Sequence, residues 1–256
     1  MQVWNTKSLL ILVLVTMLSA CLPTNPLPSL PTDTRVPTST ATPTVVWFPA
    51  TPTNTAIPTT IPTPTPEMRP GVGVLLLRDD FTDADHWLTG NTGKGTIALG
   101  LNELSLVLTM PRGYLYSVRD EPILDKFYAE ITASPSLCTG MDEYGILVRY
   151  NSPVDFYRFS LSCNGQIRLD KLLGGSASSP QPWLVSTSVP TAAPSSSMIG
   201  IWVVGSEMRF FVNNEFQFNV IDRSLSSGMF GVFTRSAGET AVTVSFSDLE
   251  IYQIQQ

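Results

Sequence analysis

YGILVRY (Tyr144–Tyr150), FYRFSLS (Phe156–Ser162) and IRLDKL (Ile167–Leu172) stand one after another in the chain. Each run is rich in β-branched and aromatic residues, and Asn, Ser, Pro, Asp or Gly separate them. Side chains alternate along a strand, so Ile146, Val148 and Tyr150 share one face of the first run. Tyr157, Phe159 and Leu161 share one face of the second. Three such runs with turn residues between them read as an antiparallel meander. The same texture recurs in FYAEIT (Phe127–Thr132), IGIWVV (Ile199–Val204), Arg209–Val220, MFGVFT (Met229–Thr234) and AVTVSFSDLEIY (Ala241–Tyr252). None of these stretches sustains a 3.6-residue period. The expected fold is therefore all-β, a sandwich of two antiparallel sheets.

Register follows from the faces. Directly opposed residues of an antiparallel pair point to the same side of the sheet. Val148 is thus expected opposite Phe159, which sets Arg149 opposite Arg158. A three-residue loop, Cys163-Asn164-Gly165, places Leu161 against Ile167, Phe159 against Leu169 and Arg158 against Asp170. Gly165 then takes the left-handed position that such loops require. A two-residue Asn-Gly loop would set Leu161 against Arg168 and mix the faces. The outward face carries Arg149, Arg158, Ser160, Arg168 and Asp170. Asp170 relieves one side of the arginine row; a bound anion, a sugar hydroxyl network or another carboxylate would relieve the other. The competing account is a solvated ion-pair row worth at most about 1 kcal/mol. Arg209–Asn219 reads as a second hairpin around Asn213-Asn214.

With these parts in order, the domain resembles the concanavalin A-like, laminin G-like jelly rolls. The resemblance rests on an early Asp80-Phe81, the YGILVRY and FYRFSLS pair ending in Asn164-Gly165, and the stretch Arg209 to Asn214. Gly228 to Val232 and Val244 to Leu249 complete it. It implies two packed antiparallel sheets, one concave, with glycan or protein ligands taken on the concave face. It also implies a calcium position between the first and last strands, where Asp80 and Asp248 fall. Two carboxylates are too few for the 6–8 oxygen ligands of calcium unless carbonyls and water supply the rest. Apart from calcium, no cofactor is implied.

No catalytic motif stands out. Laminarinase-type glycosidases of this fold carry Glu-x-Asp-x-x-Glu on one strand, and the chain lacks it. Asp248 and Glu250 are the nearest i, i+2 pair, on a last strand that belongs to the back sheet in the resembled fold. Asp142 and Glu143 are adjacent, so a strand points them apart. His86, the single histidine, has no nucleophile elbow near it. The candidate ligand contacts are Arg149, Tyr157, Arg158, Arg168, Asp170 and Trp183. The expectation is a non-catalytic domain that binds a glycan or an envelope polymer. The alternatives are a divergent anchored glycoside hydrolase and a purely structural or protein-interaction module.

Composition agrees with an extracytoplasmic β-rich domain. The chain has 256 residues, formal net charge −6 and 14% charged residues. Without a basic cluster, nucleic acid is not an expected partner. Cys138 and Cys163 form an even pair once Cys21 is set aside, and outside the cytoplasm they are expected to be disulfide-bonded. The register above places Tyr144 opposite Cys163, with Cys138 in the loop that feeds the first strand.

The first 20 residues read as a signal peptide. Leu9–Leu18 is an apolar run of the roughly 7–15 residues typical of an h-region, well short of the ~20 that span a bilayer. Leu18-Ser19-Ala20-Cys21 resembles the lipobox of bacterial lipoproteins, which implies acylation of Cys21. Residues 21–72 read as a Thr/Pro-rich disordered or extended tether, and 73–256 as the β-sandwich. The localisation expected is exported and lipid-anchored, to the cell membrane or an outer membrane, with the domain extracytoplasmic. Cys21→Ser is expected to leave the precursor uncleaved or to release a soluble form; unchanged detergent partitioning would contradict the anchor.

Overall fold

The computed structural model describes residues 66–255. The leader, Cys21 and nearly all of the Thr/Pro-rich stretch lie outside them. Fifteen strands build the described chain: β1 (Val72–Asp79), β2 (Gly90–Thr92), β3 (Gly95–Gly100), β4 (Glu103–Leu108), β5 (Tyr114–Leu124), β6 (Phe127–Leu137), β7 (Glu143–Ser152) and β8 (Asp155–Ser162), then β9 (Gln166–Leu173), β10 (Ser176–Val185), β11 (Ser197–Val204), β12 (Glu207–Val212), β13 (Glu215–Ile221), β14 (Gly228–Arg235) and β15 (Val242–Ile254). They form two antiparallel sheets. One has nine strands in the order β13-β12-β11-β6-β15-β4-β3-β2, with β1 also paired to β15. The other has six, in the order β10-β9-β8-β7-β14-β5.

Alternation explains which side of each strand enters the core. In β4, Leu104, Leu106 and Leu108 are fully buried while Glu103, Ser105 and Val107 keep partial exposure. On β8 and β9 the inward set is Tyr157, Phe159, Leu161, Ile167 and Leu169. Phe159 meets Phe210 and Phe218 of the opposite sheet, with ring centroids 4.8 and 5.8 Å away. A fully buried side chain of this size contributes roughly 1.5–3 kcal/mol. At one end, Arg119 of β5 and the Trp87 indole both donate to Asp79 Oδ2 of β1, each at 2.9 Å. This buried pair ties the sheets together, and the Phe81 N–H donates to the other Asp79 oxygen. At the other connection, Cys138 after β6 is bonded to Cys163 after β8, with Cα atoms 5.9 Å apart. Closing a loop of 25 residues contributes about 3 kcal/mol in chain-entropy terms.

The β8–β9 hairpin has the expected register. Leu161 faces Ile167, Phe159 faces Leu169 and Arg158 faces Asp170, and Gly165 has φ 84°. The second hairpin turns at Asn213-Asn214, both residues at positive φ, and pairs Val212 with Glu215.

The β7–β8 register differs from the expectation by two residues. Ser152 pairs with Asp155, the register that would set Val148 against Phe159. Between Ser152 and Val148, however, β7 holds two extra residues in a bulge with Arg149 at φ 52°. Val148 therefore faces Tyr157, Leu147 faces Arg158 and Tyr144 faces Leu161. Cys163 instead donates its N–H to the Asp142 carbonyl. Two face assignments and one pairing change with the bulge. Arg149 leaves the outward row, Tyr150 leaves the core side, and the Arg149–Arg158 opposition does not exist.

β15 contains a second bulge of the same kind. Asp248 sits there at φ 53°, between Ser247 and Glu250. The extra residue keeps Phe246 on one side of it and Leu249 on the other both in the core. Aspartate is among the few side chains that adopt the left-handed region at modest cost.

Candidate functional site

The outer face of the six-stranded sheet gathers most of the polar chemistry. Arg158 donates to Asp170 at 2.6 Å, and Arg168 reaches the same Asp170 oxygen at 2.9 Å. Arg168 also donates to Glu143 at 3.2 Å, and Arg235 donates to Glu143 at 2.6 Å. Ser179 of β10 donates to the second Asp170 oxygen at 2.6 Å. Pairing dictates this assembly: β14 sets Arg235 opposite Glu143, and β9 sets Asp170 opposite Arg158. Both carboxylates are buried under the guanidinium groups, Glu143 at 2% exposure and Asp170 at 5%.

Aromatic rings continue the face on both sides of the cluster. The Arg168 guanidinium carbon lies 4.4 Å from the centroid of Trp183, a cation–π stack. Arg158 lies over Tyr114 and Phe233, at 5.6 and 5.5 Å. Tyr114 stacks on Tyr116, Tyr116 tilts against Tyr150, and Tyr150 stacks on Phe156. Burial pushes the Tyr114 phenol well above its ordinary pKa, and its buried hydroxyl has no hydrogen-bond partner among the described residues. Beside Tyr114 and Tyr116, a cleft of about 560 Å³ is lined by Leu88, Asn91, Ile97 and Met110. At the other end, a depression of about 410 Å³ is lined by Arg158, Arg168, Asp170, Ser179 and Arg235.

Of the residues singled out from the sequence, Arg158, Arg168, Asp170 and Trp183 come together here. Arg149 and Tyr157 do not. Tyr157 is fully buried in the core because it alternates with Arg158, and its hydroxyl donates to Asp222 at 2.7 Å. The bulge turns Arg149 away from the outer face; its guanidinium donates to the carbonyls of Leu225, Gly205 and Asp125. It ties three loops together beneath a 790 Å³ cleft that Asp125, Lys126, Gly205 and Arg223 help line. The sequence reading passes over Arg235, Tyr114 and Ser179, and weighs Glu143 only beside Asp142 as a catalytic pair. Extending YGILVRY and MFGVFT by one residue each would have added Glu143 and Arg235 to the outward set.

Asp80 and Asp248 flank the paired residues Asp79 and Leu249 of β1 and β15, and each carboxylate is engaged by its own neighbours. The Asp80 carboxylate accepts from the hydroxyl and N–H of Thr82, and Asp248 accepts from the Ser247 hydroxyl. Among the described residues, no three His, Cys, Asp or Glu side chains are placed to hold a metal ion. The Asp248–Glu250 pair fails as a catalytic couple as well. It lies in the nine-stranded sheet, across a bulge, and Glu250 is held by Arg78 and Tyr252. Asp142 turns its carboxylate to the N–H groups of Thr139 and Ala237.

No protein-family model matches the sequence, and no curated protein is similar to it. Solved structures share its architecture. Carbohydrate-binding module CBM66 from Bacillus subtilis superposes with a TM-score of 0.54 at 15% identity, covering 66% of this chain and 96% of its own. A Bacillus subtilis protein of unknown function with a galectin-like fold gives 0.56 at 13%, covering 72% and 99%. The Bacillus licheniformis beta-glucanase gives 0.53 at 10%, covering 72% and 99%. The fold is a jelly-roll β-sandwich. At these identities the likeness concerns the fold alone, and the same jelly roll carries binding modules and hydrolases.

At the end of this jelly roll that holds Arg149 and Tyr157, Asp222 joins Tyr157, Lys171 and Ser224. Burial by itself would raise the Asp222 carboxyl. The bonds from Lys171, Ser224 and Tyr157 outweigh it and hold the group well below the usual carboxylate range. A depressed folded-state pKa adds stability above the unfolded value of about 3.9, and that stability is lost as pH falls through the folded value. Asp222→Asn is expected to lower stability near neutral pH and to flatten its decline below about pH 4. Equal acid slopes for the two proteins in denaturant melts would refute this assignment.

Proposed function

We propose that this jelly roll is a non-catalytic glycan-binding domain, with its site on the outer face of the six-stranded sheet. The observation that carries the proposal is the ordered row of guanidinium groups and aromatic rings running from Trp183 through Arg168 and Arg158 to Tyr114 and Tyr116. Flat rings pack against the apolar faces of sugars, and the guanidinium N–H groups beside them donate to sugar oxygen atoms. The row is fixed by its own ion pairs and stacks, so binding requires little ordering of side chains. Among the structures sharing the fold is one titled a carbohydrate-binding module, which is compatible with this reading.

The carboxylates argue against hydrolysis. A retaining glycosidase needs one protonated acid and one bare nucleophile about 5–5.5 Å apart. Glu143 is held by Arg168 and Arg235, and Asp170 by Arg158, Arg168 and Ser179. Every oxygen of the two carboxylates is already taken by a guanidinium or hydroxyl donor, so neither stands as a bare nucleophile opposite a free acid.

The proposal extends to the rest of the chain. Acylation of Cys21 would anchor it to a membrane, and the Thr/Pro-rich stretch would carry the domain through envelope polymers towards its ligand. Glycan-array binding by the full chain, without reducing sugar released on incubation, is the expected result. Trp183→Ala, on an edge strand, should weaken that binding about tenfold and leave the melting temperature nearly unchanged. Binding of no glycan, or a Trp183→Ala protein that binds as wild type, would refute the site. Steady release of reducing ends would return the chain to the hydrolases.

A further inference from the structure

The arginine end of the face has more donors than its carboxylates can use. Arg158 bonds through Nη2, Arg168 through Nη2 and Arg235 through Nη1. A guanidinium carries five N–H groups in a fixed fork. None of these pairings is the two-nitrogen fork that Arg and carboxylate commonly form. The Nε atoms of Arg158 and Arg168 are buried with no partner among the described residues, as is the Ser160 hydroxyl on the same face. Three positive charges meet two negative ones, Glu143 and Asp170. This local excess sits in a chain whose formal net charge is −6.

The acceptors, by contrast, are occupied. Both Asp170 oxygens and both Glu143 oxygens already take bonds from Arg or Ser179. A neutral sugar hydroxyl is both donor and acceptor, and half of that capacity would find little here. A group that only accepts fits better. A 410 Å³ depression, within the usual range of ligand pockets, is lined by the side chains of Arg158, Arg168 and Arg235. Arg235 keeps 41% of its side chain exposed beside the depression it helps line.

From this we infer that the glycan taken by the face is acidic, and that its anionic group sits on Arg158, Arg168 and Arg235. The inference rests on the glycan-binding reading and adds the substrate class to it. A uronate carboxylate matches the planar guanidinium fork; a sulfate ester offers the same acceptor-only chemistry. Trp183, stacked on Arg168, brings an aromatic ring beside the charged group. The acidic chain as a whole repels polyanions, so their binding would have to be local.

The test titrates the full chain with polygalacturonate, alginate, hyaluronan and dextran sulfate, and with carboxyl-reduced polygalacturonate as the neutral counterpart. At least one acidic polymer is expected to bind, and to weaken as salt rises. Arg235→Gln, a half-exposed position, should weaken that polymer about tenfold. Binding of the uronates but not the reduced polymer assigns a carboxylate, and binding of dextran sulfate alone assigns a sulfate. Equal affinity for polygalacturonate and its reduced form, or no effect of Arg235→Gln, overturns the acidic assignment while leaving glycan binding in place. If no acidic polymer binds the inference fails, and if the array is empty too, the glycan reading falls with it.

Discussion

The three-residue turn Cys163-Asn164-Gly165 decides which way every side chain of β8 and β9 points. With Gly165 at φ 84°, Phe159 and Leu169 share the core side, and Arg158 and Asp170 share the outer side. A one-residue slip in either strand would reverse its set and bury arginines against Phe210 and Phe218. The cost of burying unpaired guanidinium groups excludes that arrangement. The outer cluster and the inner core are thus two consequences of one turn. The disulfide at Cys163 holds that turn to the end of β6, in the opposite sheet.

Bulges make the second level of control. A straight β7 would carry Arg149 to the outer face and Tyr150 to the core. The two inserted residues exchange them. Tyr150 then joins Tyr116 and Phe156 on the outer face, and Arg149 becomes the donor for three loop carbonyls. In β15 the single extra residue at Asp248 lets one long strand serve the core along its length. Both devices place a non-glycine residue at positive φ, a local cost that the surrounding packing sustains.

These details explain what the sequence discloses and what it hides. Alternation in FYRFSLS and IRLDKL, joined by a turn with one allowed register, was enough to place Arg158 against Asp170. It was also enough to recognise two antiparallel sheets. The β7 bulge was invisible, because YGILVRY alternates without a break and nothing local marks Arg149 for positive φ. Tyr157 was misread as a ligand contact, although its own alternation with Arg158 puts it in the core. Pro180 and Pro182 argue against a strand at β10; on this edge strand they fall where the pairing with β9 is interrupted. Glu143 and Arg235 lie far apart in sequence, and only the β7–β14 pairing brings them together.

The outer face differs from an ordinary solvated ion-pair row in its degree of order. Leu147, Ser160 and Phe233 lie on it and are fully buried, because arginine and tyrosine side chains lie flat across them. Such a surface is a preformed platform with unused donors. Covalent side-chain footprinting of the full chain, with and without a bound glycan, tests that account most directly. Trp183, Tyr116 and Tyr114 should lose reactivity on binding, while Tyr252 and Phe216 of the nine-stranded sheet keep theirs. Protection of Tyr252 and Phe216 with Trp183 unchanged would place the ligand on the other sheet and contradict it.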